Sequence, residues 1–180
     1  RLCRQEEDLG IDFLVDASAS MATGRPRKFD HARRLAAALA YVALASLDRV
    51  RVFAVAGGVR SHLSAGRDRA NVLAILAFLR NLAPGGRTDL ARSAQGYLAH
   101  AGRPGLGLVV TDLLDPGGYE RPLALLAGRG LETWCLHVTD PADLAPSGTG
   151  DVAVADAETG DTLAVHLTPA VRERLAAEAD

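Results

Sequence analysis

Ile11-Asp12-Phe13-Leu14-Val15-Asp16-Ala17-Ser18-Ala19-Ser20-Met21 is the stretch on which the fold turns. Its first half is a short apolar run ending on Asp16, which has the length and boundary of a buried strand. Its second half alternates small apolar and hydroxyl residues, and the chain stays polar to Arg27, with Gly24 and Pro26 as turn formers. From Phe29 the period changes. Phe29, Ala32, Ala36, Leu39, Ala40, Ala43 and Leu47 recur at spacings of three and four, the signature of a helix. Leu35, Tyr41 and Val42 make its later turns apolar nearly all round, which predicts a helix covered on most sides. A strand feeding a helix through a loop of side-chain oxygens is thus written into the first 45 residues.

The same alternation continues outward. Val50 to Val55 reads as a strand, and Val59 to Leu63 as a short edge strand after Gly57-Gly58. Asn71 to Leu82 reads as a helix with Val72, Ile75, Leu76, Leu79 and Leu82 on one face, broken by Pro84-Gly85-Gly86. Thr88 to Ala101 is a helix carrying Leu90, Ala94, Tyr97 and Leu98, with Gly102 at its C-terminus. Leu106 to Thr111 is a strand ending at Asp112. Pro122 to Ala127 is a short helix with proline early in it, and Leu131 to Val138 is a further strand. Strands alternating with helices give an α/β fold, doubly wound around a mostly parallel sheet. Val152–Ala155 and Leu163–His166 flank Glu158-Thr159-Gly160 and read as a hairpin or late strand pair. Thr168-Pro169 caps and starts a final helix. The whole chain, 1–180, is expected to form one domain, with a lead-in over 1–10 and the strand pair and last helix over 151–180.

Composition narrows the function classes. Twenty Lys+Arg against 22 Asp+Glu leave no basic field for bulk nucleic-acid binding. The one lysine, Lys28, stands among arginines, a bias expected of GC-rich coding. Arg25, Arg27 and Lys28 read as a solvated basic turn. The cleanest apolar stretch, Leu35 to Ala45, falls short of the ~20 residues a membrane span needs. The opening residues contain no signal-peptide core. Cys3 and Cys135 have no metal-ligand spacing, and Cys135 in its apolar run reads as a buried free thiol in a reducing compartment. The five histidines are scattered, without ligand spacing to one another.

In a doubly wound sheet, ligands bind beyond the carboxyl ends of the strands, near the point where strand order reverses. Three segments reach that end: Asp16-Ala17-Ser18-Ala19-Ser20, Gly85-Gly86-Arg87-Thr88-Asp89, and Thr111-Asp112 with Asp115 behind it. Together they offer carboxylates and hydroxyls, hard oxygen ligands of the kind that hold Mg2+, Mn2+ or Ca2+. In an irregular loop Asp16, Ser18 and Ser20 can present alternate side chains to one point. A set so poor in anionic ligands leaves a cation electrophilic toward a further carboxylate. Asp89 reads equally as a carboxylate supporting these ligands from behind and as a charge at a helix N-terminus. Asp115 reads as a loop residue.

Asp16-x-Ser18-x-Ser20, Thr88 after a double glycine, and Asp112 ending a later strand resemble the metal-ion-dependent adhesion site of von Willebrand factor A domains. Leu113 stands where many such domains have glycine. A narrower match covers most of the chain. Asp16 to Met21, Lys28 to Arg33, Leu47-Asp48-Arg49-Val50, Gly86 to Leu90, Val110-Thr111-Asp112 and Val154 to Gly160 are similar to the bacterial domain-of-unknown-function 58 family. The resemblance implies an A-domain-like fold and a non-enzymatic interaction module. A divalent ion, Mg2+ first, would sit on Asp16, Ser18, Ser20, Thr88 and Asp112, with a protein partner's Asp or Glu completing it. It also implies a MoxR-type AAA+ ATPase as partner in complex assembly and a parent protein anchored in the membrane upstream of Arg1, and the reducing compartment read from the cysteines makes the expected setting cytoplasmic. This region itself is expected to touch neither membrane nor nucleic acid. Two alternatives share the residues: a metal-dependent phosphoesterase-like hydrolase, for which the three loops lack a general base, and a metal-free scaffold.

Overall fold

The computed structural model describes residues 10–100, 105–144, 149–171 and 173–174. Five strands form the main sheet: β1 (Gly10–Asp16), β2 (Arg49–Ala56), β3 (Gly58–Gly66), β4 (Leu106–Thr111) and β5 (Glu132–His137). Their order is β3-β2-β1-β4-β5, with β2 and β3 antiparallel and the other pairs parallel. The chain leaves β1 toward β2 on one side and returns to β4 on the other, so strand order reverses at β1/β4. A crevice opens there at the carboxyl ends, where Asp16 and Asp112 stand.

Helices cover both faces: α1 (Lys28–Ala45), α2 (Val72–Asn81), α3 (Leu90–His100), α4 (Glu120–Ala127) and a single turn, α5 (Pro141–Leu144). β1 is buried at every residue, as a central parallel strand must be. Its side chains alternate between two cores. Phe13 and Val15 join Phe29, Ala36 and Ile75 on one face; Leu14 joins Phe53, Tyr97 and Leu126 on the other. Ala32, Ala36, Ala40 and Ala43 are the buried stripe of α1. Small side chains at this spacing let the helix lie close to the sheet, which is how a core short of aromatics packs. On the opposite face, Asp12 takes a bidentate contact from Arg51 (2.7 and 2.5 Å) and the Tyr97 hydroxyl (2.6 Å). These partners satisfy a carboxylate on an otherwise apolar strand.

Several expectations are corrected here. α1 is not covered on most sides: Tyr41 and Val42 are each 59% exposed. A helix in the outer layer of such a fold buries only the stripe facing the sheet and its neighbour helix. On α2 Ile75 and Leu79 are buried, and Val72 and, just past the helix end, Leu82 pack half-buried against the same core, but Leu76 is in solvent. α3 starts at Leu90, leaving Thr88 and Asp89 in the preceding loop. Cys135 is exposed, because β5 is the outer strand and is exposed or half-buried throughout. Its partial burial still pushes the thiol pKa upward. Cys3, Ala101 and Gly102 lie outside the described residues.

The late strand pair is a separate antiparallel hairpin, β6 (Gly150–Ala155) with β7 (Thr162–Leu167). Helical residues begin again at 169, where the Thr168 hydroxyl accepts the Val171 N–H (3.3 Å). Among the described residues no helix is long and apolar enough to cross a membrane.

Candidate functional site

Asp16 ends β1 with its carboxylate buried. Oδ1 accepts the Ser18 N–H (2.9 Å), and Oδ2 accepts the Thr111 hydroxyl from the end of β4 (2.6 Å). The first bond is a local turn of the kind aspartate makes two residues on. It reverses the chain, while Ala17 and Met21 tuck into the core. Ser18 and Ser20 stay together at the loop, their hydroxyl oxygens 3.0 Å apart. Burial pushes the Asp16 pKa upward, the Thr111 and Ser18 hydrogen bonds oppose that, and the Asp112 charge adds to it.

The glycine loop is stitched to this first loop by backbone. Gly85 N–H donates to Ala17 O (2.8 Å) and Ala19 N–H to Gly86 O (2.9 Å). Gly86 has φ +83°, a left-handed conformation that favours glycine. Arg60, from edge strand β3, clamps both loops through one guanidinium nitrogen, donating to the carbonyls of Ala17 (3.2 Å), Ala83 (3.2 Å) and Gly85 (3.0 Å). Thr88 is thereby delivered, buried, beside the serine loop. Beyond it Asp89 caps α3, its Oδ1 accepting Arg92 N–H (2.7 Å). Asp115 serves the same helix end, taking the Leu90 N–H (2.6 Å) with Oδ2 and the Gly117 N–H (2.7 Å) with Oδ1.

Asp112 follows β4 and is buried. Oδ1 accepts the Leu114 N–H (3.1 Å), and Leu113 between them takes φ +59°, the region in which glycine is at ease. Its carbonyl accepts the His137 Nε2–H (3.1 Å). Its Oδ2 receives the ammonium of Lys28 (2.9 Å), which also meets Asp143 on α5 (2.7 Å). Lys28 is 2% exposed, so the expectation of a solvated basic turn fails at this residue, while Arg25 and Arg27 are exposed. Burial works against the Lys28 charge, but the hydrogen bonds it donates to Asp143 and Asp112 more than offset it and hold its pKa above the usual value.

The three loops that carry the five expected residues therefore lie at one end of the sheet, with Asp16, Ser18 and Ser20 linked by hydrogen bonds and the Thr88 loop joined to them through the backbone of Gly85 and Gly86. Sequence reasoning missed three others. Lys28 had a signal, being the one lysine in the chain. Glu158, in the β6–β7 turn, accepts both the Thr88 N–H (2.9 Å) and the Thr88 hydroxyl. Its only mark was a tight-turn sequence, Asp156-Ala157-Glu158-Thr159-Gly160-Asp161. Arg60 had none.

The donor set suits a hard divalent ion: two carboxylates and three hydroxyls, all buried. Among the described residues no three His, Cys, Asp or Glu gather into a metal cluster, so the three hydroxyls are essential to this fit. The Ser18–Ser20 contact uses a single hydrogen, which leaves oxygen lone pairs on both hydroxyls.

The whole chain, residues 1–180, matches the family described as Protein of unknown function DUF58. An uncharacterized protein of Mycobacterium tuberculosis is 28% identical over 176 residues, covering 95% of this chain and 55% of the relative. Another, from Mycobacterium avium, is 31% identical over 113 residues, 63% of this chain and 66% of that one. The chain thus spans little more than half the length of the Mycobacterium tuberculosis relative. Among solved structures, the conserved hypothetical protein BatB of Bacteroides thetaiotaomicron superimposes with TM-score 0.56 at 16% identity, over 94% of this chain and 86% of that one. The manganese-loaded TRAP protein of Plasmodium vivax gives 0.51 at 17% identity, over 73% and 57%. The fold is von Willebrand factor A-like.

Proposed function

The chain belongs to the DUF58 family, and from that membership and the loop geometry we propose that it is a protein interaction module built on a divalent-cation site. The observation that carries this reading is that the three loops bearing Asp16, Ser18, Ser20, Thr88 and Asp112, all buried, lie together where strand order reverses. When bound, Mg2+ or a similar ion would supply an electrophilic position that seeks one more carboxylate. The protein's own residues set its character. Asp16 supplies the charge. The hydroxyls of Ser18, Ser20 and Thr88 hold geometry without neutralising the ion. Asp112, already shared with Lys28, contributes weakly. A partner's Asp or Glu then binds at the remaining position, and a MoxR-type AAA+ ATPase is the partner class we propose.

The geometry does not favour a hydrolase. The basic groups nearest Asp112 are committed: the Lys28 ammonium to two carboxylates, and the His137 Nε2–H to a carbonyl. A second reading, a metal-free scaffold, is favoured by one observation: the Lys28 ammonium already neutralises Asp112. Calorimetric titration with Mg2+ and Mn2+ separates the two. Binding in the intact chain that vanishes in Asp16→Ala, with loss of Mg2+-dependent partner capture, supports the module. Equal heats from both proteins would refute it.

A further inference from the structure

The clasp between Glu158 and Thr88 reaches beyond what an adhesion-type site requires. Thr88 offers an N–H and a hydroxyl to the crevice, and one carboxylate of the same chain takes both. The tip that delivers it is locked by its own residues. Asp156 Oδ1 accepts the N–H groups of Glu158 (2.7 Å) and Thr159 (3.0 Å), and Asp156 N–H donates to Asp161 O (2.8 Å). Thr159 Oγ1 accepts the Asp161 N–H (3.1 Å), and Gly160 closes the turn at φ +76°. The carboxylate is therefore pre-aimed.

The rest of the hairpin is anchored at Leu167, buried at the end of β7, and is otherwise largely exposed. Among the described residues β6 and β7 pair with each other and with no strand of the main sheet, and large apolar side chains on them, Val154 and Leu163, are in solvent. An isolated two-stranded hairpin is marginally stable in water. A cavity of about 270 Å³ is lined by Ala155, Asp156 and Glu158 of the hairpin and by Ser20, Lys28 and Asp143. The tip touches the loop cluster through the Glu158–Thr88 contact, with this space beside it.

We propose that the β6–β7 hairpin is a displaceable internal occupant of the carboxylate-receiving position, with Glu158 holding the place that a partner's glutamate takes. This rests on the reading of the loop cluster as a site for an external carboxylate. A tethered competitor acts at an effective concentration in the millimolar range when its linker is short. An external carboxylate must therefore displace it, and its apparent affinity falls by the fraction of molecules that are open. The partner best suited to compete presents a glutamate on a tight turn, as Asp156–Asp161 does.

The test compares the intact chain with Glu158→Ala, a change in a turn whose residues are exposed or half-buried. N-acetylglutamate α-amide is the probe, read by the Thr88 amide resonance with Mg2+ and with chelator. Amide exchange over β6 and β7 is followed in parallel. Expected in the variant are probe binding tighter by about fivefold or more and faster exchange over both strands, with β1 and β4 unchanged. Probe affinity and hairpin protection that both stay at wild-type values would overturn the proposal. Faster hairpin exchange in chelator, with no Mg2+ heat in either protein, would support the clasp while refuting the cation site. Mg2+ binding that is equal in both proteins, with unchanged protection, would do the reverse.

Discussion

Replacing Lys28 by methionine removes one charge from the most buried ionic contact of the site. The Lys28 and Asp112 side chains are 2% and 1% exposed, and their charged atoms lie 2.9 Å apart. Asp143, at 27% exposure, can turn to water when the ammonium goes. Asp112 cannot, and it keeps a single backbone donor, Leu114 N–H. Breaking a buried pair from one side costs about 3–5 kcal/mol, because the remaining charge stays buried and uncompensated. For a chain of this size that corresponds to a fall in Tm of roughly 6 to 20 °C. Urea unfolding followed by far-UV circular dichroism, in chelator, measures it. Asp112→Asn in the Lys28→Met background removes the orphaned charge and is expected to recover most of the loss. A cost below about 1 kcal/mol in Lys28→Met, or a double variant no more stable than the single one, would refute the assignment of Lys28 to Asp112.

Two further outcomes follow from the packing around β1 and the loops. Burial and the Asp12 carboxylate hold the Tyr97 phenol well above its usual range. Above about pH 10 the unfolded chain releases this proton and the folded chain keeps it, so stability falls with rising pH by about 1.4 kcal/mol per unit. Tyr97→Phe should show a shallower alkaline slope in pH-dependent unfolding, and an unchanged slope would contradict the buried hydrogen bond. Gly86→Ala places a side chain at φ +83° with no neighbour within 4 Å, so backbone strain alone should cost about 1–2 kcal/mol. Gly85→Ala, equally uncrowded and without positive φ, should be neutral or slightly stabilising in the same thermal melts. Equal effects at both positions would mean that the glycine loop is not held in this conformation.

What the sequence determined by itself is what period and local chemistry encode. The buried run 11–15, the three-and-four spacing after Phe29 and the strand ending at Thr111 fix the alternation of strands and helices, because each pattern suits one backbone period. The Asp16 turn and the hydroxyls after it are legible for the same reason: aspartate bonds its own backbone two residues on. The order in which Asp16, Thr88 and Asp112 occur was legible too, through resemblance. Exposure was not. Tyr41, Leu76 and Cys135 lie in apolar patterns, yet they face solvent because of which layer or edge their element occupies. Long-range pairing was not legible either. Lys28 meets Asp112 84 residues away, and Glu158 meets Thr88 70 residues away. Contacts of that kind exist only once β1 and β4 are neighbours and the hairpin has folded back over their ends. Tertiary structure thus decided which charges are buried and which carboxylate already occupies Thr88.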